Sequence, residues 1–180
     1  MKRKTLNAFD QLEEQRRELL SFYQQFSTDQ LQFKPDPNSW NLLQVLRHLV
    51  TAEGQSLIYI KRKINHAEDL PRVGLRATVR AFLLKIALAL PIKFKAPKVA
   101  QVDEEYPNFE QLIDEWGSVR NEFNELLINT AEESFTKTVY KHPRAGYLSL
   151  KQAIVFMEDH IEHHRKQIGR IMSAKNFPVT

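Results

Sequence analysis

Three of the chain's six histidines stand in the short stretch DHIEHHRKQIGR, residues 159–170. His160 and His164 are four residues apart, and on an α-helix that spacing places two side chains on adjacent turns, about 5–6 Å apart at Cβ. Two imidazole nitrogens at that separation can bind one ion, and imidazole is a common ligand of divalent transition metals. The spacing therefore indicates half of a metal site, because two histidines alone supply too few ligands.

These histidines lie on a predicted helix that starts after its N-cap Ser149 and ends near Ala174. With about 100° per residue and His160 at zero, His164 falls near 40° and His163 near 300°. The apolar residues of this helix span about 320° to 80°; they are Ala153, Phe156, Met157, Ile168 and Ile171. We therefore expect His160 and His164 to face the core and His163 to lie at the edge of the apolar stripe.

A pair of inward-facing imidazoles needs partners, because burying an unpaired polar group costs free energy. A single buried histidine usually finds its partner in a hydrogen bond within the core. For two histidines on one face, a shared metal ion satisfies both lone pairs, and we favour that interpretation. A catalytic zinc usually has three protein ligands and one open position, so a third ligand must come from elsewhere in the chain.

His48 is the best candidate for the third ligand. It lies on a second predicted helix, residues 40–64, at the border between the apolar and the polar face. His66 and His142 fall in predicted loops and are weaker choices. The sequence therefore predicts a metal site formed by His48 together with the pair on the last helix.

Other details of the motif narrow its chemistry. Ile161 follows His160, where a zinc protease of the His-Glu-x-x-His type needs a glutamate as base, which argues against that class. His163 is the alternative to His164, since positions i and i+3 also share a face, but its edge position favours contact with solvent, substrate or a carboxylate. Three glutamines fall near the ligand faces and either orient the rings or are ordinary polar residues; they are Gln44, Gln55 and Gln167.

Composition favours one globular domain over residues 1–180. The chain has no cysteine, so any metal must bind histidine or carboxylate, and a cytoplasmic location is expected because the N-terminus does not resemble a signal peptide. Its 26 basic and 22 acidic residues give a net charge of +4 and are spread along the whole chain. This even distribution argues against nucleic-acid binding.

Hydrophobic periodicity predicts four to five helices and no convincing strand pair. The first covers residues 5–26, and a loop of about a dozen residues follows before Ser39, the N-cap candidate of the second. The third begins at Asn108, which stands three residues before Gln111 as in a capping box. Such helices most simply pack as an antiparallel bundle, whose core is where these folds place metal and ligand sites.

The segment 72–98 contains an apolar run that is interrupted by Lys85 and Pro91. This run is too short to span a bilayer, which takes about 20 residues. A buried helix with a basic tail is the favoured interpretation. The alternative is a membrane-surface or dimer-contact helix, with three lysines placed beside acidic phospholipid; they are Lys93, Lys95 and Lys98.

Two stretches resemble the DinB-like proteins, also described as DinB/YfiT-like metalloenzymes. In PDPNSWNLLQVLRHLVTAE, Trp40 opens the second helix and His48 follows two turns later. In HPRAGYLSLKQAIVFMEDHIEHHRKQI, a His-Pro and Gly connector precedes His160, His164 and a nearby glutamine. Lys166 stands where many relatives have glycine, and the segment from about Leu70 to Val102 carries no resemblance.

The resemblance implies an all-α fold: a four-helix up-down-down-up bundle with an additional connecting helical segment. It implies that His48, His160 and His164 bind a divalent metal, zinc or nickel, with water completing the shell. The implied activity is either transfer of a low-molecular-weight thiol or hydrolysis, so that metal-bound water or a substrate thiolate is the catalytic group.

Expected partners are a small-molecule substrate, with a low-molecular-weight thiol as one candidate, and a second copy of the chain in a homodimer; neither nucleic acid nor membrane is an expected partner. The competing hypothesis is a non-catalytic binding or dimerisation module with a structural or vestigial metal site. A metal without an open coordination position would distinguish that module from an enzyme.

Overall fold

The computed structural model describes residues 1–90 and 108–179, and helices dominate these ranges. The α-helices are α1 (Lys2–Tyr23), α2 (Thr28–Gln32), α3 (Leu42–Ile64), α4 (Leu75–Ala89), α5 (Phe109–Asn129) and α6 (Leu150–Met172). A hairpin of two short strands, β1 (Tyr140–His142) and β2 (Gly146–Leu148), precedes α6. Short 3₁₀ helices at Ala67–Asp69 and Glu132–Thr136 complete these elements.

Helices α1 and α6 run in the same direction. Near the middle of α1, the Gln15 side-chain amide donates to the Glu158 carbonyl at 3.2 Å. Further along, Arg165 forms an ion pair with Glu18 at 3.1 Å. Residue numbers rise together in the two helices, which makes the pair parallel.

Helices α3 and α5 are also parallel. Arg47 in the first half of α3 pairs with Glu115, and Lys61 near its end pairs with Glu122 at 2.7 Å. Because these two long helices follow one another in the chain, the connection between them must return along the bundle. Helix α4 lies in that connection.

The other neighbouring pairs are antiparallel. Phe9 and Tyr23 of α1 contact Phe123 and Phe109 of α5, so residue numbers rise in one helix as they fall in the other. The chain therefore forms an all-α, four-helix bundle with the order up (α1), down (α3), down (α5), up (α6), as predicted. Its core consists of apolar side chains from all four helices; among those with no exposed surface are Leu12, Leu46, Leu49, Trp116, Phe123 and Ile161.

Two helix boundaries in the first half differ from the prediction. The N-cap of α3 is Asn41 instead of Ser39: the Asn41 side chain accepts from the Gln44 N–H at 2.8 Å, and Gln44 accepts from the Asn41 N–H in a complete capping box. Ser39 is engaged elsewhere, because its hydroxyl donates to the Asp36 carboxylate. The predicted loop before it contains α2, whose N-cap Ser27 forms a capping box of its own.

The connector before α6 contains the hairpin that we did not predict. Strands β1 and β2 pair antiparallel, with Tyr140 opposite Leu148 and His142 opposite Gly146. Gly146 has φ +73°, a conformation that residues with a Cβ rarely adopt, so glycine is the residue that lets this turn close. The hairpin leads directly to Ser149, which caps α6 in a capping box with Gln152, as predicted for its start.

Helix α4 contradicts the favoured prediction of a buried helix. Only Ala77 and Leu88 are buried, while most of its large apolar side chains are exposed. One side of α4 packs on α6, where Lys166 donates to the Ala89 carbonyl at 3.0 Å. The three lysines of the predicted basic tail lie outside the described residues. Within the described ranges, no helix is long and apolar enough to cross a membrane.

Candidate metal centre

Helices α3 and α6 bring three histidines together from distant parts of the chain. His48 lies in the second turn of α3, whose start is fixed by the Asn41 capping box. His160 and His164 lie on successive turns of α6 and face α3. The structure therefore places close together the three residues that the sequence predicts as metal ligands.

The Nε2 atoms of these rings lie close to one another. His160 Nε2 is 3.3 Å from His48 Nε2 and 3.1 Å from His164 Nε2. Two nitrogens bound to one tetrahedral zinc, at about 2.0–2.1 Å each, are separated by about 3.3 Å. All three nitrogens lie within 4.8 Å of one another, so the widest pair would have to approach by up to about 1.5 Å to share one tetrahedral zinc.

Gln167 fixes the tautomer of His164. The Gln167 side-chain oxygen is 2.8 Å from His164 Nδ1, and because that oxygen only accepts, Nδ1 carries the proton. The other nitrogen of His164, Nε2, therefore presents its lone pair to the other two histidines. His160 Nε2 can donate at most one hydrogen, so its two contacts with the other imidazole nitrogens cannot both be ordinary hydrogen bonds. A cation that accepts lone pairs fits this donor set.

The rings of His160 and His164 are uncharged near neutral pH. Burial, with added repulsion from the neighbouring His48, lowers the pKa of His164 to about 3. Burial also holds the pKa of His160 well below its usual range, with added repulsion from His164 and His48. Neutral imidazole is the form that binds metals, so burial keeps these ligands ready to bind without a competing proton.

Aromatic rings hold the histidines in place. Trp40 lies against both His48 and His164, with ring centroids 5.1 and 6.5 Å away. Phe156, one turn before His160, stacks on the His160 ring at 5.4 Å. The sequence identified Trp40 only through the family resemblance and Phe156 only as a core residue, because these contacts depend on how α3 and α6 pack.

Most of the cluster is buried. His48 and His164 are only 5% and 7% exposed. His160 is partly exposed. It is therefore the member of the cluster nearest to solvent.

The remaining histidines do not join the cluster. His163 Nδ1 donates to the Leu88 carbonyl at 2.9 Å, which ties α6 to α4, and the alternative of His163 as a ligand finds no support in this geometry. His66 is exposed beside the 3₁₀ turn Ala67–Asp69. His142 lies next to the site without entering it: its ring contacts Phe156 at 4.5 Å, on the ring that also stacks on His160.

The three glutamines predicted near the histidines occupy different environments. Gln167 orients His164, as the sequence suggested. Gln44 instead completes the capping box of α3, where its side chain accepts from the Asn41 backbone N–H. Gln55 is exposed. Spacing alone could not separate these roles, because the backbone groups at a helix start compete for the same side-chain oxygen.

His142 is expected to make the unfolding free energy depend on pH. Its Nδ1 accepts from the backbone N–H groups of Arg144 and Ala145 at 3.2 and 3.0 Å, so protonating Nδ1 would break both bonds. Burial, with added repulsion from Arg144, lowers the pKa of His142 from 6.5 to about 4. The contribution of His142 is therefore fully present above pH 6.5 and decreases as the pH falls towards 4, by about 3 kcal/mol in all.

Urea unfolding between pH 4 and 7, with a chelator present throughout, measures this effect. His142→Asn is the matched variant, because the asparagine oxygen can accept the same two N–H groups but does not titrate. We expect the variant to lose less stability than the wild type over this range. Equal pH dependence of the two proteins would contradict the assignment.

The sequence pattern of the DinB superfamily matches residues 11–168 of the chain, a range that includes all three clustered histidines. No curated protein sequence matches the chain. Among solved structures, YfiT from Bacillus subtilis, described as a probable metal-dependent hydrolase with an unusual four-helix bundle topology, aligns with a TM-score of 0.63 at 16% identity. That alignment covers 97% of this chain and 89% of YfiT. With the family pattern matched over most of its length, the chain belongs to the DinB superfamily.

Proposed function

We propose that the protein is a metal-dependent hydrolase whose divalent ion is held by His48, His160 and His164. The observation that carries this proposal is the convergence of three imidazoles, with Nε2 separations of 3.1 and 3.3 Å around His160. YfiT, which shares the fold, is itself described as a probable metal-dependent hydrolase. Zinc and nickel are the ions that we expect, since both accept imidazole ligands.

The ligand set supports a catalytic site better than a structural one. Structural zinc sites usually have four protein ligands, whereas catalytic sites have three and keep one position open. In the described part of the chain, the group that could hold a metal consists of these three histidines alone. His160 is also partly exposed, so it is the ligand nearest to solvent.

When bound, a divalent ion supplies Lewis acidity: it lowers the pKa of a coordinated water to about 7 and equally stabilises a thiolate. The protein's own groups prepare the surroundings. Gln167 holds His164 in the tautomer that leaves Nε2 free. Trp40 and Phe156 limit the movement of the rings and exclude water from the buried side.

His142 adds a polar group beside the site. Because its Nδ1 accepts two backbone hydrogen bonds, the proton of the neutral ring resides on Nε2. The ring lies against Phe156, which in turn stacks on His160. His142 thus offers a hydrogen-bond donor near the metal ligands.

The experiment compares hydrolysis with thiol transfer, the other activity associated with DinB-like proteins. Tag-free protein is loaded with one equivalent of Zn²⁺ or Ni²⁺ and tested on small esters and amides, and separately on an electrophile with a low-molecular-weight thiol. We expect hydrolysis that a chelator abolishes and that the metal restores. The matched control is His163→Ala, whose side chain bonds to the Leu88 carbonyl of α4 and packs edge-on against the His164 ring, but is not one of the three grouped histidines.

Three results would decide against the proposal. If the protein bound one metal ion and catalysed thiol transfer but no hydrolysis, the proposed reaction would be wrong and the proposed metal site would stand. Stoichiometric metal with neither activity would favour the non-catalytic module with a structural or vestigial metal. Protein that binds neither ion would remove the metal site itself.

A further inference from the structure

Helix α4 presents an apolar face without a partner among the described residues. Six large apolar side chains of this segment are between 42% and 80% exposed; they are Leu75, Val79, Phe82, Leu83 and Ile86 of the helix and Leu90 directly after it. Elsewhere in the described ranges, exposed large apolar residues are widely separated along the chain, as with Ile58 and Ile128. Isolated residues of that kind are common on soluble proteins, whereas a contiguous apolar face marks an interaction site.

The exposed residues form one continuous stripe. With Leu75 at zero and about 100° per residue, all six fall between about 340° and 80°. The two buried residues, Ala77 and Leu88, fall near 200° and 220°, on the opposite side of the helix. Helix α4 therefore uses one face to pack on the bundle and turns a second apolar face outward.

Basic residues border this outward face. Arg76 and Arg80 lie on one side of the stripe, near 100° and 140°, and Lys85 lies on the other, near 280°. All three are exposed, and α4 contains no acidic residue. The Lys85 Nζ atom lies 3.7 Å from the Asp159 carboxylate of α6, which is a long ion pair. The Lys85 side chain is 60% exposed, so its charge remains accessible to solvent.

We propose that the outward face of α4 binds the surface of a membrane that contains anionic phospholipid. An apolar stripe bordered by lysine and arginine is the pattern of a helix that lies in the interface, with its apolar side among the acyl chains and its cations at the headgroups. The positive charge of α4 favours a membrane as the partner. The helix has three bordering cations and no acidic residue, so it complements a negatively charged surface.

A second copy of the chain fits this face less well. In a symmetric dimer the same patch occurs on both subunits, so two α4 helices in contact would place Arg76 and Arg80 of each subunit near the like charges of the other. Like charges in a contact cost free energy and act against association. The membrane proposal needs no metal, and its outcome is therefore independent of the proposed hydrolase activity.

Co-sedimentation with lipid vesicles tests the proposal. The full chain is mixed, at low ionic strength, with phosphatidylcholine vesicles that contain about 30% phosphatidylserine, and separately with pure phosphatidylcholine vesicles. We expect binding to the mixed vesicles that is at least about tenfold stronger than to the neutral ones and that weakens as salt screens the headgroup charge. No binding to the mixed vesicles at low salt would overturn the proposal.

Matched variants locate the surface. Phe82→Ser with Ile86→Ser removes two exposed side chains from the stripe and is expected to reduce binding at least about tenfold. Ile58→Ser with Ile128→Ser removes two residues of similar exposure, 52% and 54%, from other helices and should leave binding unchanged. All four positions are exposed, so circular dichroism should show folded protein in both cases. Equal effects of the two double variants would contradict the assignment to α4.

Charge reversal and sedimentation velocity complete the test. Arg76→Glu is expected to weaken binding to the anionic vesicles without affecting the apolar stripe. The same protein samples are examined for oligomers in the absence of lipid. A dimer that the Phe82→Ser and Ile86→Ser protein no longer forms would assign the face to a second copy and overturn the membrane proposal.

Discussion

Replacing His160 with alanine is expected to remove stoichiometric binding of Zn²⁺ and Ni²⁺, with a loss of affinity of at least about 100-fold. His160 occupies the central position of the cluster, because its Nε2 lies within 3.3 Å of both His48 and His164. Without His160, only the imidazoles of His48 and His164 remain, and these come from different helices. Neither ring then has the central imidazole that lies close to both. A two-ligand site binds a divalent ion weakly.

Isothermal titration of tag-free, chelator-treated protein measures this affinity. Thermal unfolding gives a second readout: metal that binds only the folded state raises Tm, and His160→Ala should lose that increase. His163→Ala is the matched control, since it also removes an imidazole from α6. The Nδ1 atom of that imidazole bonds to the Leu88 carbonyl. If His163→Ala lost the metal while His160→Ala retained it, the ligand set would be wrong.

The three clustered histidines could be predicted to lie together because the direction of a side chain on a helix is a local property. A period of 3.6 residues puts His160 and His164 on the apolar side of α6, and the same argument puts His48 at the inner border of α3. The need to satisfy two buried imidazoles then favours a third ligand. The residues that contact each ring, such as Trp40 and Phe156, follow from packing, and the sequence left these contacts open.

The incorrect predictions have separate physical causes. Ser39 and Asn41 are both good N-cap residues, and Asp36 decides between them by binding the Ser39 hydroxyl. The apolar content of α4 indicates a helix, but does not show which face finds a partner. Strands β1 and β2 have three residues each, too few for an alternating pattern to be recognised.

The buried ion pair between α3 and α5 was also missed, since Glu53 and Arg120 read as ordinary charged residues on separate helices. In the structure, the Glu53 carboxylate accepts from Arg120 Nε at 2.7 Å, from Arg120 Nη2 at 2.8 Å and from Trp116 Nε1 at 2.8 Å. Both charged side chains are only 2% exposed. Sequence spacing of 67 residues offers no local signal for such a pair.

Replacing Glu53 with alanine is expected to lower the unfolding free energy by about 3–5 kcal/mol, because removing one partner leaves a buried charge uncompensated. Arg120 would then retain only Glu13, which lies 3.7 Å from its Nη1, and the Trp116 N–H would lose its acceptor. Glu53→Gln should be less harmful than alanine, since an amide oxygen can still accept, but it supplies no negative charge. Urea unfolding with a chelator present measures all of these proteins.

Lys61→Ala is the matched control, since Lys61 forms an ion pair between the same two helices at 2.7 Å but on the surface, with both side chains about half exposed. Its loss is expected to cost less than about 1 kcal/mol. A double variant, Glu53→Leu with Arg120→Met, separates pairing from packing: removing both charges together should cost less than the sum of the single changes, because no unpaired ion is left behind. Additive losses would show that the two side chains stabilise the bundle through packing alone.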